Sequence, residues 1–243
     1  MKITGANGQA VSQPLFSSSA TQFHELGFRA VGSGRSFRYA KNGGVLLVVG
    51  NCLQAPIEDV DHDDIAVRAT AIGDRTLKIT TGASGGALDE NEYAEGFAVV
   101  DTTPGIGYVY SIASHAAIAA STNGELVLVD GETVQVALST ASKITLTQNP
   151  YKNVIQHPVT TATNSAIGGC IYPLAISEFG WVQTGGPGAA LILGTPGAGQ
   201  PLTSVGATAG ALTVHSAELN VVATMNCTGR AGKVLPVVWL LEP

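Results

Sequence analysis

Charge is what this sequence has least of: Asp, Glu, Lys and Arg make up only 12% of its 243 residues. That is about half the share of an ordinary soluble domain. Aromatics are also few, at 6%. Low charge combined with 45% hydrophobic residues excludes intrinsic disorder, which needs the opposite balance. Cys52, Cys170 and Cys227 are odd in number, far apart and without a C-x-x-C pair. They argue for free thiols in a reducing cytoplasm and against a disulfide framework or zinc site. Long apolar runs are missing too. The uncharged stretch from Phe179 to Ala217 is interrupted every few residues by Gly, Pro, Thr or Gln, so it lacks the ~20 continuous apolar residues of a membrane helix. After Lys2, the run Ile3-Thr4-Gly5-Ala6-Asn7-Gly8 offers no apolar core for secretion.

The charges that remain are unevenly spread. Residues 1–41 hold five bases against one acid, residues 42–152 hold fourteen acids against five bases, and residues 153–243 hold three acids against two bases. Between Asn153 and Ala217 the one formal charge is Glu178. A surface this neutral points to coverage by other subunits, and hence to a homo-oligomer, with a soluble surface of Thr, Ser, Asn and Gln as the alternative.

What is abundant is glycine, 30 residues of it, spacing short β-branched runs. Residues 1–22 are small and polar without helical periodicity, and are expected to form an extended arm lying outside the globular body against another subunit. Ser36–Ala40 and Val45–Val49, separated by Asn42-Gly43-Gly44, predict a hairpin. Ile65–Ile72 with Thr76–Thr80, Phe97–Val100 with Tyr108–Ile112, and Leu126–Val129 with Thr133–Leu138 predict further pairs, and Lys143–Thr147 closes the series. Asn149-Pro150-Tyr151-Lys152-Asn153 reads as a connector. Beyond it, Trp181–Thr184, Ala189–Leu193, Leu202–Val205, Leu212–His215, Asn220–Met225 and Val234–Leu241 read as strands. Ser114–Ala120 and Asp89–Glu95 are the only helix candidates, and both are short. The expected class is all-β, with sandwich or barrel units, an extended N-terminal arm and few short helices. The expected division is an arm and first strand over 1–45, an acidic β domain over 46–152 and a charge-poor β domain over 153–243.

Chemistry is hard to find. Asp59-Val60-Asp61-His62-Asp63-Asp64 crowds oxygen ligands into one loop, but without the spacing of an EF-hand, and Asp89-Glu90-Asn91-Glu92 is similar; both are expected to be solvated acidic loops without metal. No serine lies in G-x-S-x-G or S-x-x-K. His24, His62, His115, His157 and His215 are scattered, so nothing selects a catalytic set and no enzyme, cofactor or metal is expected. Gly194-Thr195-Pro196-Gly197-Ala198-Gly199 lacks the Lys-Ser/Thr of a phosphate-binding loop. Arg29, Arg35 and Arg38 lie among Phe28, Phe37 and Tyr39, a mixture that could stack on nucleic acid. A net charge of −6 argues against that partner.

Several segments carry a resemblance. Leu26-Gly27-Phe28-Arg29 leading to Gly34–Ala40, the Gly43-Gly44 turn, Val45–Gly50 and Cys52–Pro56 resemble the N-terminal region of tailed-phage virion proteins. Asn149-Pro150-Tyr151, Val154–Pro158, Phe179–Pro187, Gly229–Ala231 and Val237–Leu240 resemble the same group. The resemblance implies a capsid decoration (cement) protein on the outside of the phage head. Its partner would be the major capsid protein, its own assembly a homotrimer, and its work mechanical. The major capsid protein itself is a poorer fit, since the shell-forming fold typical of tailed phages has a long spine helix and no amphipathic run of that length appears here. Candidate subunit or capsid contacts are Leu15, Phe16, Arg29, Arg35, Arg38, Trp181 and Trp239. Two alternatives stand beside this: a tail or head-fibre protein binding host glycans, and a hydrolase with a distributed site.

Overall fold

The computed structural model describes residues 3–6, 8–159, 161–204, 206–216 and 220–242. They form an almost entirely β protein; the one helical element among them is a 3-10 turn at Val60–His62. The chain makes two compact units. Unit 1 comprises Met1–Ile57 and Pro150–Pro243, and unit 2 is Glu58–Asn149. The sequence division differed from this: residues 46–57 and 153–243 fold together, and 150–152, at the expected connector, return the chain to unit 1.

Unit 1 begins with β1 (Thr4–Gly5), β2 (Arg29–Gly32), β3 (Arg35–Lys41) and β4 (Cys52–Gln54). Unit 2 follows with β5 (Ile65–Val67), β6 (Thr76–Thr80), β7 (Phe97–Val100), β8 (Val109–Ser114), β9 (Asn123–Leu128) and β10 (Lys143–Thr147). These six close into an antiparallel barrel in the order β10-β5-β6-β9-β8-β7. Alternation does the work here: β6 and β10 bury every second residue, because successive side chains point to opposite faces. Leu77, Ile79, Ile112, Leu126 and Ile144 fill the interior without exposure. Each such side chain contributes roughly 1.5–3 kcal/mol by leaving water.

Unit 1 resumes with β11 (Ile155–Gln156), β12 (Ala166–Cys170), β13 (Phe179–Ile192), β14 (Pro201–Thr203), β15 (Thr213–Val214), β16 (Ala223–Met225) and β17 (Lys233–Leu240). With β1–β4 they make an 11-stranded sheet. Its spine is β13, which pairs with β3, β12 and β17. Two expected strands, Trp181–Thr184 and Ala189–Leu193, are thus halves of one. Gly185, Gly186 and Gly188 made the join look like a loop. The register shifts between Gln183 and Gly185, and the Gln183 amide pins the bulge by donating to the carbonyls of Gly185 (3.1 Å), Gly186 (3.3 Å) and Pro187 (2.9 Å). A side chain at Gly169 would collide with the Trp239 ring, so that glycine lets the indole lie flat on the sheet.

Several expectations are corrected. β3 takes its hairpin partner from β2, through Ser33 (φ 50°) and Gly34 (φ 70°), the positive-φ pair of a tight two-residue turn. Val45–Val49 is no strand. Asn42 holds that segment instead, donating to Val45 O (2.9 Å) and Leu174 O (2.8 Å) and accepting from Gly44 N (3.0 Å). Thr133–Leu138 forms no strand either, since β9 is already flanked by β6 and β8. Neither helix forms. Ile118 exchanges two 2.8 Å backbone bonds with Leu88, and positive φ at Asn91 and Glu95 breaks the other. Val205, the expected end of one strand, lies outside the described residues.

The N-terminal segment is corrected as well. Its described residues, 3–6 and 8–22, pack on their own unit. Leu15 is 4% exposed in a cluster with Phe37, Tyr39 and Trp181. Ser19 and Phe179 exchange backbone bonds of 3.0 and 2.8 Å. Gln13 explains why so polar a segment stays down. Its side chain accepts from Tyr39 Oη (2.6 Å) and donates to Phe179 O (3.0 Å), while its carbonyl accepts from Trp181 Nε1 (3.1 Å).

Candidate functional site

The seven contact candidates separate into interior and surface groups. Leu15, Trp181 and Trp239 are interior, both indoles at 1% exposure, and so serve the chain's own cores. Phe16 projects outward at 55% exposure. Arg38 is engaged. Its guanidinium pairs with Glu242 through Nε at 2.8 Å and through Nη2, and Nη1 donates to Gly27 O at 2.6 Å. The hydrogen bond to Glu242 is the main cause holding the Arg38 pKa above its ordinary value. Burial alone would raise the Glu242 carboxyl. Hydrogen bonds from Arg38 and Thr184, with the charges of Arg38 and Arg29, outweigh burial and hold it below 4.5. Arg29 Nη2 donates to Ser36 Oγ at 3.3 Å, and Arg35 lies 5.2 Å above the Phe37 ring. These bases brace β2 and β3 as much as they charge the surface.

The pattern of exposure brings forward a different segment. Val45, Leu46, Val48 and Val49 are 68, 53, 49 and 40% exposed, while Leu47 between them is fully buried and bridges Leu174. The result is an apolar ridge on a buried anchor. In the sequence the five read as one strand of a hairpin, because a continuous apolar run looks the same whether covered by the chain itself or by something else.

Two polar clusters were missed as clusters. In unit 1, His157 follows β11 and Ser204 follows β14; their residues are 1% and 5% exposed. They meet at 3.0 Å, His157 Nε2 to Ser204 Oγ, across 47 residues of sequence. His157 Nδ1 lies 3.1 Å from Pro158 O. A carbonyl only accepts, so Nδ1 carries the proton and Nε2 accepts from the Ser204 hydroxyl. Burial lowers the His157 pKa and outweighs the Pro158 hydrogen bond, which raises it. Both residues line a cleft of about 210 Å³ with Asn164, Asn220, Val222 and Leu241.

In unit 2, Asp59, His62 and Glu92 bring ligand atoms within 4.8 Å of one another. His62 Nε2 donates to Ala87 O (3.2 Å), and Nδ1 faces Tyr93 Oη (2.5 Å) and Asp59 Oδ2 (3.6 Å). Burial first, then the carboxylates of Glu92, Asp59, Asp63 and Glu58, raise the Tyr93 phenol. A buried histidine with two carboxylates suits a divalent cation in its donor set, but Tyr93 already occupies the lone pair that a metal would need. The three cysteines are free, and burial pushes the Cys52 and Cys170 thiols up to about 12, so neither is a nucleophile at neutral pH. Among the described residues no helix is long and apolar enough to cross a membrane.

No family model matches this chain, and neither does any curated protein or solved structure compared with it.

Proposed function

We propose that this chain is a structural protein of a tailed-phage particle, decorating the outside of the head and bracing contacts between major capsid subunits. The apolar ridge at Val45, Leu46, Val48 and Val49 carries the proposal. Four exposed aliphatic side chains in one short segment are a liability for a free protein, and a partner surface removes it. The surrounding unit supports the same role. Its second piece, residues 150–243, carries three acids and three bases, which suits a face covered by other subunits. The capsid as partner, and the trimer as assembly, come from the resemblance to virion proteins of the segments within residues 26–56, of 149–151, 154–158 and 179–187, and of the ending at 229–231 and 237–240.

The test is co-sedimentation with phage heads that lack the protein, alongside light scattering. The wild-type chain is expected to pellet with heads and to scatter at roughly three times its 24.7 kDa mass. Leu46→Asp with Val48→Asp is expected to abolish pelleting with little change in melting temperature, since both side chains are exposed and neither belongs to a buried cluster. A wild-type chain that stays monomeric and never pellets with heads would defeat the proposal.

A further inference from the structure

We propose that Ser204 and His157 form a nucleophilic acyl-transfer site for small uncharged esters, an activity that goes beyond the particle-binding role and does not depend on it. The pair has the geometry that activates a serine: a hydroxyl donating to a histidine nitrogen at 3.0 Å, with the other ring nitrogen held by a carbonyl at 3.1 Å. The carbonyl of Pro158 does the orienting that a carboxylate does elsewhere. It fixes the tautomer that leaves Nε2 free to take a proton, but adds no negative charge to stabilise the imidazolium. The site should therefore be slower than a full triad.

The pair also lines a cleft that a substrate could enter. None of the residues lining it carries a formal charge: His157, Asn164, Ser165, Thr203, Ser204 and Asn220 are its polar members, among alanines, Val222 and Leu241. An anionic or cationic substrate would enter without a counter-charge, which is unfavourable in a partly buried site. A neutral ester meets apolar walls and amide donors instead. At about 210 Å³ the cleft holds a short acyl group and little more.

The chemistry balances with water alone. Ser204 Oγ bonds to the ester carbonyl carbon as its proton moves to His157 Nε2. The carbon–oxygen bond to the leaving alcohol then breaks, and that oxygen takes the proton from Nε2. Water attacks the acyl-serine, its proton passes through Nε2 to Ser204 Oγ, and the acid is released. Asn220 lines the cleft, and its amide is the group we assign to meet the developing oxyanion.

The experiment uses the full chain and a small neutral fluorophosphonate, read by intact mass and peptide mapping. One adduct on Ser204 is expected, absent in Ser204→Ala. His157→Gln retains a hydrogen-bonding side chain and should slow labelling on the order of 100-fold or more, the contribution of a positioned base. The wild-type labelling rate should fall as pH drops through a value below the ordinary 6.5 of histidine, because burial favours the neutral ring. No adduct on Ser204 in folded protein between about pH 5 and 8, the range over which a histidine base changes state, would overturn the proposal. Labelling that is independent of pH would overturn it too, even if His157→Gln failed to fold.

Discussion

Unit 2 and unit 1 solve the same problem, burying a β-sheet, in different ways. Unit 2 holds fourteen acids and four bases, a net of −10, and unit 1 holds four acids and eight bases, a net of +4. The acidic unit closes its sheet, so no strand edge is open to a neighbour, and its core is one continuous apolar cluster. The basic unit leaves its sheet open and divides its interior into three clusters. It fills the junctions with hydrogen-bonded polar side chains, Gln13, Asn42 and Gln183, and it carries both the apolar ridge and the serine–histidine pair. The barrel too buries hydrogen-bonded polar side chains, among them His62, His115 and Ser142; what sets the open sheet apart is that its edge strands are available for binding.

The largest effect should come from breaking the barrel. Leu77→Ala removes a fully buried side chain and should cost about 2–5 kcal/mol, read by urea titration as a lower midpoint for unit 2. Expressed alone, residues 58–149 should give the dispersed amide spectrum of a folded protein, since the barrel's core is its own. A collapsed, undispersed spectrum would mean that the two units do not differ as described. A smaller effect should follow in unit 1 from Glu242→Gln. The pair with Arg38 leaves the two side chains 20 and 28% exposed, so solvent screening limits the loss to about 1 kcal/mol. The Glu242 pKa is lowered in the fold. Its contribution is therefore complete above the unfolded value of 4.5 and lost as pH falls through the folded one. The gap between variant and wild type should close below pH 4.5, checked by thermal melts across pH. The smallest effect belongs to the acidic rim of unit 2, where Asp61→Asn should move stability by less than about 0.5 kcal/mol.

Local pattern was legible in the sequence. Thr76–Thr80, Phe97–Val100 and Lys143–Thr147 are strands over the residues expected, because alternation inside a closed barrel is strict. Pairing was less legible. β13 hides behind three glycines, and the residues that tolerate its bulge are those that look like a turn. The Val45–Val49 run and the Gln13 segment failed in opposite directions: apolar residues stayed outside and polar ones went in, each fixed by hydrogen bonds to residues more than 100 positions away, Leu174 and Phe179. The Ser204–His157 pair carried no local signal, being an ordinary serine in a β segment and one histidine among five.

The interruption of unit 1 between Ile57 and Pro150 has a consequence for synthesis. Translation delivers the chain in order, and domains fold as units while it emerges. β5 and β10, the first and last barrel strands, are paired neighbours, so the barrel can close once residue 147 has left the ribosome. At that moment β1–β4 exist without β13, the strand against which β3 is zipped over Phe179–Gly185. Phe37, Tyr39 and Leu47, which bridges Leu174, must therefore wait, uncovered, through the making of an entire second domain. The first quarter of the molecule is the last to find its place, and in a crowded cell that interval is when a chaperone or an early assembly partner has its best opportunity to hold it.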